Sequence, residues 1–450
     1  MDSGVQLPDT MRFQAARPLG TVVSPAPFLS QPQVPIPARP VSEPEPKRKP
    51  LRAVVAGLSL TLVQLVVAVL LIAPEGSLAY RYETLVQHDS HWFASIVDRG
   101  YDTVLPPIPR KMLEVSNVAF FPAYPTIAGA LHWAGLSINH ALLLTAQFAA
   151  WGFWSYFFLF CDRWRVSPLL QFFGAAAIAS HPTSFFLIAA YSESLFLMAL
   201  FGFMYWSSAR GRTAKVLAVV HGMAMSATRI VGIPCAAYPV VRAVCKGGWS
   251  QLRDVRKWGR NYGGALALTG VAMLGAIAFF AYCLIRWGRW DLYMLTQQAG
   301  WNVQPDYLAI FKPTSYRWLL PALNDPTQWS QMTMSVGALL FLVVALVEVV
   351  PALRRPTAWQ TRIAIYFVAF VTYYISVSGV ASVQMESMLR YQFCAHALIV
   401  LALMHFLGQL RTPPIAVRAL GMAVAALVCA AGLSLQAWWV WNFTRGGWVA

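Results

Sequence analysis

Apolar runs of about 20 residues recur along this chain, separated by short polar segments that are mostly basic. The first spans about 52 to 73, and later ones cover about 262 to 285, 330 to 350, 361 to 378, 388 to 407 and 415 to 438. Residues 214 to 245 are too long for one crossing and too short for two full ones. Ala227-Thr228-Arg229 lies at the middle of that segment, which predicts two short helices meeting at Arg229. Backbone polar groups in lipid must be satisfied within a helix or a closed barrel, and the short alternating strands of a barrel are absent. The pattern therefore predicts an all-α polytopic membrane protein with about eleven transmembrane helices.

Composition supports this class. Of 450 residues, 58% are hydrophobic and 12% charged, against about 25% charged in a typical soluble protein. The net charge of +16 would suit a nucleic-acid partner if it formed one basic face. Instead the Lys and Arg residues sit in clusters between apolar runs and read as topology signals, so no nucleic acid is expected. The six cysteines are scattered without a Cys-x-x-Cys pair, which argues against both a disulfide framework and a thiolate metal site.

Residues 1–50 are rich in Pro and Ser and end in Lys47-Arg48-Lys49, which predicts a disordered cytoplasmic tail ahead of a transmembrane domain over 51–450. Basic residues before the first run place the N-terminus inside and the loop 75–138 outside. That loop concentrates acid, with Glu75, Glu83, Asp89, Asp98, Asp102 and Glu114. Asp162-Arg163-Trp164-Arg165, Arg210 to Lys215, Lys246 to Arg260, Arg354-Arg355 and Arg411 then mark successive inner loops. The same count leaves Tyr191-Ser192-Glu193, Arg229, the loop 288–329 and the turn with Gln384, Glu386, Arg390 and Tyr391 on the outer side. The aromatic residues of 288–329 suit interfacial anchoring or sugar stacking.

The stretch Gln87 to Tyr101 holds the candidate chemistry. Asp89 lies between His88 and His91 where the chain leaves the lipid, a position for acid/base work, or alternatively the N-cap of a short helix. Trp92, Phe93 and Ile96 share a helical face suited to the headgroup layer, and Gly100 is placed to end that helix. With Asp89, Glu193, Arg229 and Arg390 on one side of the membrane, one reaction fits well. A base takes a proton from an acceptor hydroxyl while arginines hold a departing phosphate. Phosphate leaves readily as an anion, so a single carboxylate suffices where glycosidases use two. No Asp-x-Asp motif is present, two histidines with one Asp make a poor metal set, and neither metal nor cofactor is expected. Arg390 at the start of an apolar run also has the simpler role of snorkelling to the interface.

His88-Asp89-Ser90-His91-Trp92-Phe93 with Ile96, Gly100 and Tyr101, followed by Phe120-Phe121-Pro122-Ala123-Tyr124-Pro125, resembles the paired signature of the PIG-V-like mannosyltransferases. These are GT-C-fold membrane enzymes related to the second mannosyltransferase of GPI-anchor assembly, with bacterial relatives. Tyr191-Ser192-Glu193-Ser194, Ala227-Thr228-Arg229 and Arg390-Tyr391 resemble further blocks of that family in the same order. The likeness runs over roughly 52 to 410 and departs at His88-Asp89, where bacterial relatives often have Trp-Asp. It implies inverting transfer of mannose from a polyprenyl or dolichyl phosphate to a lipid, glycan or protein hydroxyl, with Asp89 as general base. The shared outer position of Arg229 and Arg390 makes them the candidate donor-phosphate ligands. His88, His91, Trp92, Phe121, Tyr124, Tyr191, Glu193, Glu386 and Tyr391 are the expected pocket residues. The expected location is a bacterial inner membrane with the site facing the periplasm. A flippase or transporter of a lipid-linked sugar, and the same enzyme class with another sugar, are the alternatives.

Overall fold

The computed structural model describes residues 50–103, 116–247, 254–322, 324–349, 359–409 and 414–449, apart from the side chain of residue 257. The tail before residue 50, Glu114, Arg253, Arg354-Arg355 and Arg411 lie outside the described residues.

From the N-terminal side the helices are α1 (Pro50–Val66), α2 (Leu78–Glu83), α3 (Asp89–Arg99), α4 (Ala123–Trp133), α5 (Ile138–Arg163), α6 (Pro168–Ala179), α7 (Glu193–Ser207) and α8 (Arg212–Ser226). They continue as α9 (Gly232–Cys235), α10 (Tyr238–Gly247), α11 (Trp258–Trp287), α12 (Leu292–Trp301), α13 (Pro326–Val349), α14 (Trp359–Val380), α15 (Met388–Leu407) and α16 (Ile415–Phe443). Among the described residues no strand occurs, and seven helices are long and apolar enough to cross a membrane. They are α1 with its π-helical extension to Ile72, then α5, α11, α13, α14, α15 and α16. The other four expected crossings correspond to the shorter α6, α7, α8 and α10. The protein is an integral membrane protein with an all-α architecture.

Side-chain caps explain several helix starts: Ser77, Ser137 and Ser167 accept from the amides of Tyr80, His140 and Leu170, and Pro168 occupies the first turn of α6. Gly100, at φ 79°, ends α3 as expected. Helix α5 packs between α1 and α7, α8 packs on α7 and α11, and α14 packs on α15 and α10. Gly57 makes the α1–α5 approach possible, since a Cβ there would lie 2.7 Å from the Ser155 amide nitrogen. Trp151 and Trp154 add polar links across the same contact, donating to the Val54 carbonyl at 2.8 Å and to Gln64 Oε1 at 3.0 Å.

The core collects around α5, α7 and α15, where Phe153, Trp154, Phe157, Phe196, Phe201 and Leu398 are buried. The opposite pattern marks the lipid-facing helices. Leu71, Ile285, Leu342, Leu420 and Leu427 all stand exposed on the π-helical extension of α1 and on α11, α13 and α16, where a bilayer rather than protein must cover them. The break around Arg229 is present as expected, because α8 ends at Ser226 and α9 begins at Gly232. Segment 288–329 contains α12 and two short 3-10 turns, and the Phe120 to Tyr124 stretch leads directly into α4.

Candidate functional site

Three chain segments build the site. The first is the strand-free stretch 85–90, which is stitched to 189–191: Ala190 N donates to the Leu85 carbonyl (3.2 Å), Ser90 Oγ to the Ala190 carbonyl (3.0 Å), and the Tyr191 hydroxyl to the Gln87 carbonyl (3.2 Å). Asp89 is the first residue of α3, and the amides that follow it are already satisfied. Ser90 N and His91 N donate to the carbonyls of Gln87 and His88 at 3.0 Å. The Asp89 carboxylate is therefore available for another partner, and it takes Arg390, whose Nη1 donates to Asp89 Oδ2 at 2.7 Å.

The second segment is the entry to α15. Gln384, Met385 and Ser387 adopt left-handed φ values of 57°, 64° and 64°, and this tight turn delivers Arg390 into the protein interior, its side chain 6% exposed. Its Nη2 donates to the Tyr391 hydroxyl at 3.2 Å, and the guanidinium lies 5.2 Å from the Tyr191 ring and 5.6 Å from the Phe186 ring. Snorkelling does not describe this geometry, since the group is enclosed by protein.

The third segment is the α8–α9 break with Arg229. Glu193, the first residue of α7 and 2% exposed, receives Arg229 Nη1 on Oε1, and the same oxygen lies 3.4 Å from Arg390 Nε. The Tyr391 ring sits 5.0 Å from both guanidinium carbons. Two cations and two carboxylates thus form one cluster of balanced charge. Mutual pairing is what makes such burial tolerable, because an isolated ion there would lose its hydration without compensation. Burial and the neighbouring Asp89 carboxylate hold the Tyr191 phenol well above its ordinary pKa, so it remains a hydrogen-bond donor.

The structure brings Asp89, Tyr191, Glu193, Arg229, Arg390 and Tyr391 together. The remaining expected pocket residues surround this cluster less closely. His88 turns toward 443–448, its Nε2–H donating to the Gly447 carbonyl at 3.0 Å and its ring meeting Phe443 and Trp448. Trp92 stacks on Phe120 at 6.1 Å and meets Trp301 edge-on at 5.9 Å. Phe121 is buried against Phe279 and Tyr293, and Tyr124 is buried with its hydroxyl bonded to the Leu142 carbonyl at 2.8 Å. His91 is exposed and lines a surface cavity of about 570 Å³ with Glu83, Gln87, Asn139 and Arg445. Glu386 is exposed on the turn before α15. Among the described residues, no group of three or more His, Cys, Asp or Glu is gathered as a metal set.

Several contributors escaped sequence reading. Ser90 and Gln87 set the register of the Asp89 loop through bonds to residues a hundred positions away, and nothing in their local pattern distinguishes them from ordinary loop polar groups. Asn117 closes the far end of α3, donating to Ser95 Oγ and the Gly100 carbonyl while accepting from Asp102 N. Phe186 was one aromatic among many.

No protein family and no curated protein matches this chain by sequence. Among solved structures, the crystal structure of ArnT from Cupriavidus metallidurans bound to undecaprenyl phosphate aligns with 87% of this chain and 75% of that one, at 13% identity and a TM-score of 0.44.

Proposed function

We propose that this protein is a GT-C glycosyltransferase of the PIG-V-like kind, moving mannose from a polyprenyl-phosphate donor to a hydroxyl of a membrane-associated acceptor. The observation that carries this reading is the buried cluster itself. Two guanidinium groups beside a carboxylate in a membrane domain are the groups needed to hold a lipid phosphate and accept a proton.

In the proposed step the acceptor oxygen forms a bond to the anomeric carbon as its proton passes to Asp89. The bond from that carbon to the phosphate oxygen breaks, and its electron pair leaves with the polyprenyl phosphate. Arg229 and Arg390 stabilise that charge with fork-like hydrogen bonds. Attack from the face opposite the phosphate inverts the anomeric centre. The arginine pair supplies the positive charge at the leaving group, so the proposed mechanism calls for no metal ion and no cofactor. Trp92, Phe120 and Trp301 form an aromatic surface beside α3 that suits stacking against a sugar or acceptor ring. With the N-terminus cytoplasmic, as the basic clusters favour, the site faces the periplasmic or outer side of a bacterial inner membrane.

The test is transfer by purified protein supplied with polyprenyl-phosphate mannose and a membrane-lipid extract. Wild type is expected to transfer mannose and folded Asp89→Asn to lose at least about a hundredfold in rate, because Asn keeps the shape but cannot take the proton. Equal activity of the two proteins would remove Asp89 from the role of base.

A further inference from the structure

The arginine groups proposed to receive the donor's phosphate are already occupied by the protein's own carboxylates. Arg390 offers Nη1 to Asp89 Oδ2 and Nη2 to Tyr391, so a phosphate oxygen seeking both arms of its fork meets groups already bonded there, while its Nε, 3.4 Å from Glu193 Oε1, makes no hydrogen bond among the described residues. The Oδ2 of Asp89 is engaged in the same contact. Resting protein therefore holds its proposed base and its proposed phosphate ligand bound to each other.

The two carboxylates are not equivalent. Glu193 is 2% exposed and touches both arginines through the single oxygen Oε1, while its Oε2 is buried and makes no hydrogen bond among the described residues. Asp89 is 18% exposed, pairs among the described cations with Arg390, and lies in the first turn of an 11-residue helix. The amide ends of that helix favour a negative charge there even without a cationic partner. Of the two, Asp89 is the one that can leave at small cost.

We propose that the donor's phosphate displaces Asp89 from Arg390, so that filling the arginine pair is the event that releases the base, while Glu193 stays as the positioning residue that keeps the two guanidinium groups together. This rests on the glycosyltransferase reading above. It makes the order of binding donor first. It also leaves the cluster neutral at rest, and exchange frees the Asp89 carboxylate to take the acceptor's proton.

The experiment is a titration of the whole protein in lipid nanodiscs with undecaprenyl phosphate carrying no sugar, using wild type, Asp89→Asn and Asp89→Ala. If the carboxylate competes with phosphate, both variants bind the lipid phosphate more tightly, by about tenfold or more if Arg390 is free in a tenth or less of resting molecules. Affinity that is unchanged or weaker in both variants, with thermal midpoints showing that they are folded, overturns the proposal. A second measurement needs no variant to fold well. The infrared difference spectrum of wild-type protein on adding undecaprenyl phosphate is expected to contain a changed aspartate carboxylate band, and its absence at saturation counts against the exchange. Mannose transfer, measured separately, keeps the two ideas apart. Tighter lipid-phosphate binding with retained transfer by Asp89→Asn supports the exchange and removes the base. Lost transfer with unchanged affinity keeps the base and removes the exchange. No lipid-phosphate binding by any of the proteins overturns both.

Discussion

His88 and Gly447 are 359 positions apart, and the imidazole Nε2–H of one donates to the carbonyl of the other at 3.0 Å. His88 is also the residue immediately before Asp89 and has a positive φ of 51° with ψ −111°, a conformation that a non-glycine residue holds only when its surroundings impose it. Phe443 and Trp448 supply those surroundings. His88→Ala is expected to lower stability by about 1 kcal/mol through the lost bond and to slow transfer further, because Asp89 loses its fixed backbone. Melting curves beside transfer rates check this. Unchanged transfer would show that α3 alone positions Asp89.

Arg229 and Arg390 should not tolerate the conservative exchange. Lysine keeps the charge but offers one point of contact where the guanidinium offers a fork, so Arg229→Lys and Arg390→Lys are each expected to weaken binding of a polyprenyl phosphate about tenfold or more. Arg390→Lys also loses either the Asp89 or the Tyr391 contact. Donor affinity equal to wild type in both variants would sink the phosphate assignment.

A second buried ion pair separates stability from chemistry. Arg362, 1% exposed on α14, is gripped by Glu348 through both carboxylate oxygens and reaches Gln409 at 3.2 Å, with Phe406 against its face. Arg362→Ala leaves the Glu348 carboxylate, 13% exposed, without its cation and is expected to cost about 3 kcal/mol in stability. Transfer per folded molecule is expected to be unaltered, since none of these residues touches the Asp89 cluster. A selective loss of rate at full stability would contradict that separation.

Acid should weaken the fold through His181. Burial, and secondarily the nearby His396, push the His181 imidazole well below its ordinary pKa, and its Nδ1 accepts from the Thr183 amide at 3.3 Å. The unfolded chain binds a proton near pH 6.5 that the folded protein refuses, so stability falls as pH drops below about 6.5 and is independent of this group above it. Thermal midpoints between pH 7.5 and pH 5, taken for wild type and His181→Gln, are expected to show a shallower acid slope in the variant. Identical slopes would assign the acid loss elsewhere.

How much of this was legible beforehand depends on the kind of signal. Helices α1, α5, α11 and α13 to α16 announce themselves by length and apolarity, since a lipid-exposed span has few other ways to satisfy its backbone. The break at Arg229 and the stop at Gly100 were readable because a charge or a glycine interrupts a regular pattern. Topology counting placed Asp89, Glu193, Arg229 and Arg390 on one side, and the structure joins them. It did not anticipate that Asp89 and Arg390 bind each other, because a contact between residues 301 positions apart leaves no local trace. The Arg362–Glu348 pair was missed for a different reason: at a span end, a buried arginine and a topology signal have the same sequence appearance. The π-helical end of the first span likewise has no pattern of its own, and Arg81 donates to the Leu70 carbonyl there at 2.7 Å.

The distance along the chain between the partners of the site has a consequence for biosynthesis. Asp89 emerges from the ribosome 301 residues ahead of Arg390, and His88 emerges 359 ahead of Gly447. At about 5–20 residues per second that is an interval of roughly 15 s to 1 min. Throughout it the segment that carries Asp89 waits without the groups that complete it. Nascent chains stalled before α15 would carry the acid without its arginine, and such intermediates are expected to be catalytically silent and prominent targets for membrane proteases.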